Sequence, residues 1–154
     1  GGAPAGASQR HKHVQWIPRA EGNASLDLGR PGLPADAAPL ATAQHPQLAV
    51  RHCFVRIAGG PGVSVEALAD SLHAGYTRAL AQLGLAPDGS GLLPPSNLLT
   101  ADGWLLLVPR SREHFEGVSV NALAFGGTFY AQEADKLAAL KAAGPLAALA
   151  AVGV

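Results

Sequence analysis

Two apolar runs separated by a short turn constrain the fold more than any other segment of this sequence. Residues 97–100 (NLLT) and 104–108 (WLLLV) are rich in side chains that favour strands, and Ala101-Asp102-Gly103 lies between them. An Asp-Gly pair between two such runs is typical of a β-hairpin. The pattern therefore predicts two antiparallel neighbours in a sheet.

An amphipathic helix is predicted upstream of this hairpin. Ser64 can cap its first turn, Glu66 lies where the helix dipole favours negative charge, and Gly84 ends the pattern. The apolar side chains that recur every three to four residues are Val65, Leu68, Leu72, Tyr76, Leu80 and Leu83.

The remaining elements are unevenly spaced along the chain. Further strands are predicted over residues 11–17, 49–57 and 118–125, and helices over residues 132–143 and after Gly144-Pro145. Residues 19–48 hold many Pro, Gly, Asp and Asn residues and are expected to form a long connection with little regular structure. The mixed order favours an α+β fold, in which helices flank a mostly antiparallel sheet within a single domain spanning residues 1–154.

Composition argues against several classes of partner. The 154 residues are 48% hydrophobic and 14% charged, with eleven basic and eleven acidic side chains, so no overall positive field draws the chain to nucleic acid or anionic lipid. The apolar stretches are too short to span a membrane. Cys53 is the only cysteine, which excludes an internal disulfide and favours a reducing cytoplasm.

The segment HKHVQ holds the candidate chemistry. On a strand, His11, His13 and Gln15 share one face because alternate side chains point the same way. A solvated amphipathic strand explains this pattern without any chemistry. A metal site needs three or four ligands, and the remaining candidates form no second pair of suitable spacing: His45, His52, Cys53, His73 and His114. We therefore predict no metal site.

A nucleophilic histidine explains the HKHVQ pattern better than a metal site does. Neutral imidazole attacks phosphorus well and leaves well afterwards, which divides one difficult transfer into two easier ones. Gln15 can donate to a phosphoryl oxygen but cannot act as a general acid, which suits transfer between phosphates more than hydrolysis. The preceding residues offer backbone N–H groups and a hydroxyl for phosphate oxygens: Gly6, Ala7, Ser8 and Gln9.

The segment GASQRHKHVQWIP resembles the catalytic segment of the histidine-triad superfamily in its His-x-His-x-Gln transferase branch. More narrowly, GASQ-x-HKH-x-Q resembles that of the diadenosine tetraphosphate phosphorylases, or ATP adenylyltransferases. Residues 96–133, which include SNLLT, VPRS and SVNALAFGG, are similar to the carboxy-terminal segment of that family, as is LKAAGPLAALAAVG near the end. The resemblance implies a histidine-triad-like fold, with a catalytic strand and phosphate loop in residues 1–18 and a C-terminal adenylyltransferase region in residues 49–154.

The resemblance also implies roles for single residues. His13 would attack the α-phosphate and carry the adenylyl group, His11 would help to fix its ring, and Gln15 would hold the phosphoryl oxygens. The polyphosphate would lie in a loop formed by Gly6, Ala7, Ser8 and Gln9. In the second half, the residues that resemble substrate-pocket positions are Asn97, Leu98, Leu99, Trp104 and Arg110.

Two of these positions have a structural alternative. Arg110 offers a guanidinium fork for phosphate oxygens, or is a surface arginine paired with Glu113 or Glu116. Trp104 stacks on the substrate or packs in the core, and packing is the favoured alternative. Two further aromatic residues are expected in the core: Phe125 and Tyr130.

The reaction that the resemblance implies is phosphorolysis of diadenosine tetraphosphate. His13 displaces ATP and keeps AMP, inorganic phosphate then releases ADP, and the reverse reaction joins ADP and ATP. No cofactor is required. Mg²⁺ could assist by neutralising the polyphosphate, and it would then bind with the substrate, because the sequence shows no set of carboxylates that would hold it on the protein. The alternatives are another nucleotidyl transferase of the superfamily, such as a uridylyltransferase, and a non-catalytic remnant or nucleotide-binding subunit.

We expect further sequence upstream of Gly1. The chain contains no methionine and starts just before the phosphate loop, whereas members of the family that it resembles are considerably longer. Trimming of an initiator methionine is the alternative. An incomplete fold would leave a sheet edge open, so we expect the chain either to pair with an amino-terminal half chain or a second copy of itself, or to be unstable and inactive alone.

Overall fold

The structure is a computed structural model that describes residues 3–7, 14–18, 33–34, 36–101 and 103–154. Parts of the predicted connection and of the predicted hairpin turn lie outside these residues, namely residues 19–32, Ala35 and Asp102. Four predicted site residues lie outside them as well: Ser8, Gln9, His11 and His13.

The described residues form one mixed sheet-and-helix architecture that begins with a 3-10 turn at Ala3–Ala5. The strands are β1 (Thr42–Ala43), β2 (Cys53–Arg56), β3 (Ser96–Ala101), β4 (Trp104–Pro109), β5 (His114–Phe115) and β6 (Val118–Ser119). The helices are α1 (Val65–Gln82), α2 (Ala122–Phe125), α3 (Ala134–Ala143) and α4 (Pro145–Val152). Among the described residues, no helix is both long enough and apolar enough to cross a membrane.

The sheet is antiparallel throughout its described strands. Its order is β1-β2-β4-β3, and β5 pairs with β6 in a separate hairpin. The predicted hairpin is confirmed as β3 and β4, with Leu99 opposite Leu106 in the register. The predicted α+β class and mostly antiparallel sheet are therefore confirmed.

Strand β4 lies between two neighbours, and all six of its residues are buried. Successive side chains of a strand face opposite sides of the sheet. Leu105 and Leu107 accordingly pack on one side with α1, whereas Leu106 and Val108 pack on the other side with residues of α2 and α4. Helices therefore cover both faces of the sheet, which explains why β4 is apolar without alternation.

Helix α1 begins at the predicted cap. Ser64 Oγ accepts from the N–H of Ala67 at 3.2 Å, and hydrogen bonds to its own backbone N–H and to Ser64 hold the pKa of Glu66 below its usual range. The helix lies close to the sheet at Gly75, where an added Cβ would be 2.7 Å from Ile57 Cγ2. A side chain at position 75 would therefore push α1 away from the core.

The predicted strand over residues 118–125 is wrong beyond Ser119. Strand β6 ends there, and Asn121 Oδ1 accepts from the N–H of Leu123 at 3.0 Å, which caps α2. A local bond from side chain to backbone thus outweighs the strand preference of this apolar run. Phe125 is buried as expected, but Tyr130 is 60% exposed, and it is its neighbour Phe129 that packs against the core.

Three other predictions need correction. The strand predicted over residues 49–57 is limited to Cys53–Arg56, which is β2. The connection predicted over residues 19–48 contains a short strand, β1. Residues 14–17 of the strand predicted over 11–17 lie outside every strand, with Val14 97% and Trp16 85% exposed. A strand needs a neighbour to satisfy its backbone donors and acceptors, and no strand of the described residues pairs with this segment.

A buried histidine pair closes the loop between β1 and β2. His52 Nε2 accepts from the backbone N–H of His45 at 2.7 Å, and His52 Nδ1 lies 2.7 Å from the Val50 carbonyl. A carbonyl can only accept, so Nδ1 carries the proton and the ring is neutral. Burial, with a smaller contribution from His45, lowers the pKa of His52, against the opposing effect of the Val50 hydrogen bond.

This neutral ring predicts a loss of stability in mild acid. Below about pH 6.5 the unfolded chain protonates His52 while the folded chain does not, so the free energy of unfolding falls as pH drops towards the lowered folded pKa. We expect His52→Gln to lose roughly 1 kcal/mol at neutral pH and to show a flatter slope below pH 6.5 in urea unfolding. His73→Gln, on the exposed side of α1, should keep the slope; an unchanged slope in His52→Gln would contradict the assignment.

Candidate functional site

Two polar side chains lie buried at one end of the β3–β4 hairpin. Arg110 directly follows β4, Asn97 belongs to β3, and each is only 4% exposed. The pairing of the strands continues past β4, because the N–H of Arg110 donates to the Pro95 carbonyl at 2.8 Å. The hairpin therefore places an amide and a guanidinium group next to each other inside the protein.

All five N–H donors of the Arg110 guanidinium have acceptors within the chain. Nε donates to the Val152 carbonyl at 3.1 Å, and Nη1 donates to the Ala5 carbonyl at 3.3 Å and to Asn97 Oδ1. Nη2 donates to two carbonyls of the following loop, those of Arg112 at 2.9 Å and Glu113 at 3.4 Å.

The Ala5 carbonyl is the meeting point of this network. Asn97 Nδ2 donates to it at 2.8 Å, in addition to the bond from Arg110. Ala5 itself is 1% exposed and immediately precedes Gly6, the first residue of the predicted phosphate loop. Nothing in the sequence signals this contact, because the acceptor is a backbone carbonyl that any residue would supply.

The guanidinium of Arg110 hydrogen-bonds to backbone and amide dipoles rather than to a carboxylate. Val152 is the last residue of α4, where the helix dipole favours a cation. The guanidinium carbon also lies 5.3 Å from the centre of the Phe125 ring. Burial lowers the pKa of Arg110 to about 10, against a smaller raising effect of Glu113, so the group stays charged at neutral pH.

The loop start is fixed a second time at Gly6. This residue has φ of 75°, and a Cβ there would collide with the Val120 carbonyl and lie 2.9 Å from Asn121 Cα. Gly6 therefore packs its backbone directly against the segment that leads into α2. Position 6 requires glycine for both reasons, its left-handed backbone and its lack of a side chain.

The predicted site residues fall into three groups. Asn97 and Arg110 are in contact with each other and, through Ala5, with the start of the Gly6–Ala7 segment. Gln15, the described member of the predicted catalytic residues, is exposed. The third group lies outside the described residues and comprises His11, His13, Ser8 and Gln9.

The other predicted pocket residues lie on the sheet. Leu98 is 45% exposed, while Leu99 packs against the core cluster. Trp104 is 7% exposed, makes an edge contact with Phe54 at 6.4 Å between ring centres and has the Arg56 guanidinium 5.6 Å from its ring centre. Trp104 thus takes the packing alternative in this structure.

Arg110 matches neither alternative in its simple form. Arg110 is buried rather than at the surface, and its five N–H donors are engaged within the chain. A direct contact between Arg110 and phosphate stays a prediction, but this arrangement leaves no donor free to make it.

Among the described residues, no group of three or more His, Cys, Asp or Glu side chains could hold a metal ion.

The family model for the ATP adenylyltransferase C-terminal domain matches residues 46–154. The chain belongs to this family. The match includes Asn97 and Arg110 and begins after the HKHVQ segment. A search of curated proteins by sequence finds no match.

Solved structures of yeast Ap4A phosphorylase Apa2 share the fold. The TM-score is 0.67 at 20% identity for Apa2 alone, 0.62 at 19% for its complex with Ap4A, and 0.61 at 21% for its complex with AMP. Each comparison covers 99% of this chain but only 52% or 53% of the yeast chain. The chain therefore spans about half the length of these structures, and the predicted histidine-triad-like fold is confirmed.

The packing of Gly6 predicts that a single methyl group disturbs the loop start. Gly6→Ala should lower the free energy of unfolding by roughly 1–2 kcal/mol for its positive φ and by a further amount for the collision with Val120. Gly84→Ala is the matched control, because Gly84 has φ of 59° but open space around its Cβ. Equilibrium urea unfolding of both variants measures the difference; equal losses would show that Gly6 is not packed as described.

Proposed function

We propose that this chain is the carboxy-terminal part of a diadenosine tetraphosphate phosphorylase and carries its nucleophile, His13. One observation carries the proposal: the HKHVQ segment stands in one chain with an adenylyltransferase C-terminal domain, and the Ala5 carbonyl, which lies upstream of that segment, accepts hydrogen bonds from Asn97 and Arg110 of that domain. The fold shared with a phosphorylase that has been solved with Ap4A and with AMP supports the same substrate class.

The proposed reaction has two transfers at one phosphorus atom. The imidazole of His13 attacks the α-phosphorus of diadenosine tetraphosphate, so that a P–N bond forms, the bond to the bridging oxygen breaks and ATP leaves. Inorganic phosphate then attacks the same phosphorus, the P–N bond breaks and ADP is released. Running both transfers backwards joins ADP and ATP, with AMP carried on His13 between them.

Neither transfer requires a general acid. ATP leaves as an anion, and the imidazole that leaves in the second transfer is stable without a proton from another residue. Gln15 suits this chemistry because its amide donates to a phosphoryl oxygen without supplying a proton, and His11 helps to hold the His13 ring. We place Mg²⁺ with the polyphosphate, where it neutralises charge, rather than on protein ligands.

The test is covalent labelling of His13. The chain is incubated with diadenosine tetraphosphate labelled at the α-phosphorus, and we expect an acid-labile, base-stable label that mass spectrometry places on His13. His13→Ala should abolish the label because the attacking nitrogen is lost. His73→Ala, which removes an exposed histidine of α1, should leave it unchanged.

The remaining outcomes separate the alternatives. Label on His13→Ala would refute the mechanism, and label from α-labelled UDP-glucose instead of the dinucleotide would favour a uridylyltransferase. Label that forms only after an amino-terminal half of a family member is added would show that this chain acts as one part of the site. Nucleotide binding without label in every arm would favour a non-catalytic binding subunit.

A further inference from the structure

We propose that His52 is a proton-sensitive latch, which holds the surface turn of residues 45–48 closed at neutral pH and releases it in mild acid. The release passes on to the buried guanidinium of Arg110 through residues 153–154, while the centre of the sheet stays folded. The inference does not rest on the proposed function, because it concerns how this part of the fold responds to a proton.

The hydrogen bonds of His52 require a neutral ring. Its Nε2 accepts from the backbone N–H of His45 at 2.7 Å, and its Nδ1 donates to the Val50 carbonyl at 2.7 Å. A proton on Nε2 turns this acceptor into a donor that faces another donor. The bond to Val50 survives protonation, so the bond that the proton breaks is the one that holds His45.

The surroundings of His52 do not compensate a positive charge. The buried polar and charged side chains of the described residues include no carboxylate: His45, His52, Asn97 and Arg110. Burial lowers the pKa of His52, and His45 adds to this effect. The guanidinium of Arg51, the preceding residue, is directed at the Leu83 carbonyl at 2.5 Å. A protonated ring is therefore accommodated better in water, which it reaches when the turn opens.

The turn itself is the part that can open. Pro46 and Gln47 are exposed, and the N–H groups of Gln47 and Leu48 donate back to His45, at 3.3 Å to its Nδ1 and at 3.1 Å to its carbonyl. These two bonds stay within the turn and can move with it. The bond from His45 to His52, in contrast, joins the turn to the residue that precedes β2.

Residues 153–154 connect this segment to Arg110. A Cβ at Gly153 would be 2.6 Å from Val50 Cγ1, so the Val50 side chain lies directly on the backbone of Gly153. The N–H of Arg51 donates to the Val154 carbonyl at 2.8 Å. On its other side, Gly153 forms an antiparallel bridge with Arg110. Movement of the segment that carries Val50 therefore disturbs the backbone against which Arg110 is held.

Hydrogen exchange of single N–H groups in the full chain tests the latch. In the pH range between the ordinary histidine pKa near 6.5 and the lowered pKa of His52, opening takes up one proton. The opening constant of the His45 N–H should therefore rise about tenfold for each pH unit that is lost, after correction for intrinsic exchange. We expect the Arg110 Nε–H to show the same slope. The N–H of Leu106, in the central strand β4, should exchange much more slowly at every pH.

Three glutamine variants assign the proton. His52→Gln removes the titration but keeps an oxygen that can accept from the N–H of His45, so both slopes should disappear. His45→Gln keeps the backbone donor and removes only the second imidazole, so the slopes should remain. His73→Gln, on the exposed side of α1, is the matched control and should also keep them.

Four results would overturn the latch. The first is a His45 opening constant that does not respond to pH in the unaltered chain. The second is equal exchange at His45 and Leu106, because the whole protein would then open at once. The third is a slope at His45 without one at Arg110, and the fourth is a slope that disappears in His45→Gln but not in His52→Gln. The first three need only the unaltered chain, so they decide the matter even where a variant fails to fold.

Discussion

The structure depends most on the burial of one cation, Arg110. A guanidinium taken out of water without a carboxylate partner is costly unless its donors are satisfied. Here five acceptors from separate parts of the chain, the C-terminal end of α4 and the face of Phe125 together offset that cost. Each acceptor must stay in place for the charge to remain buried, so the loop start, β3, α4 and the segment after β4 are held in one arrangement.

An apolar residue at position 110 would leave the acceptors of the guanidinium without their donor, which is costly for buried groups, and it would not orient anything. The guanidinium has a planar fork of donors with fixed directions, and it uses them to set the direction of carbonyls, including that of Ala5. Shape alone is enough for the two apolar clusters on either side of the sheet, where nothing needs to point in a particular direction. The Arg110 network thus supplies the direction that apolar packing alone does not.

Local signals in the sequence predicted the elements that depend on neighbouring residues. Ser64 indicated the start of α1 and the Asp-Gly turn indicated the β3–β4 hairpin, because caps and turns are set within a few residues. The prediction for residues 118–125 failed at Asn121, since its capping role is visible only once the chain is known to turn there. The sequence indicated Arg110 as a site residue but did not indicate its partners. Four of its five acceptors are backbone carbonyls, and since every residue has a backbone carbonyl, the sequence cannot show which ones are used.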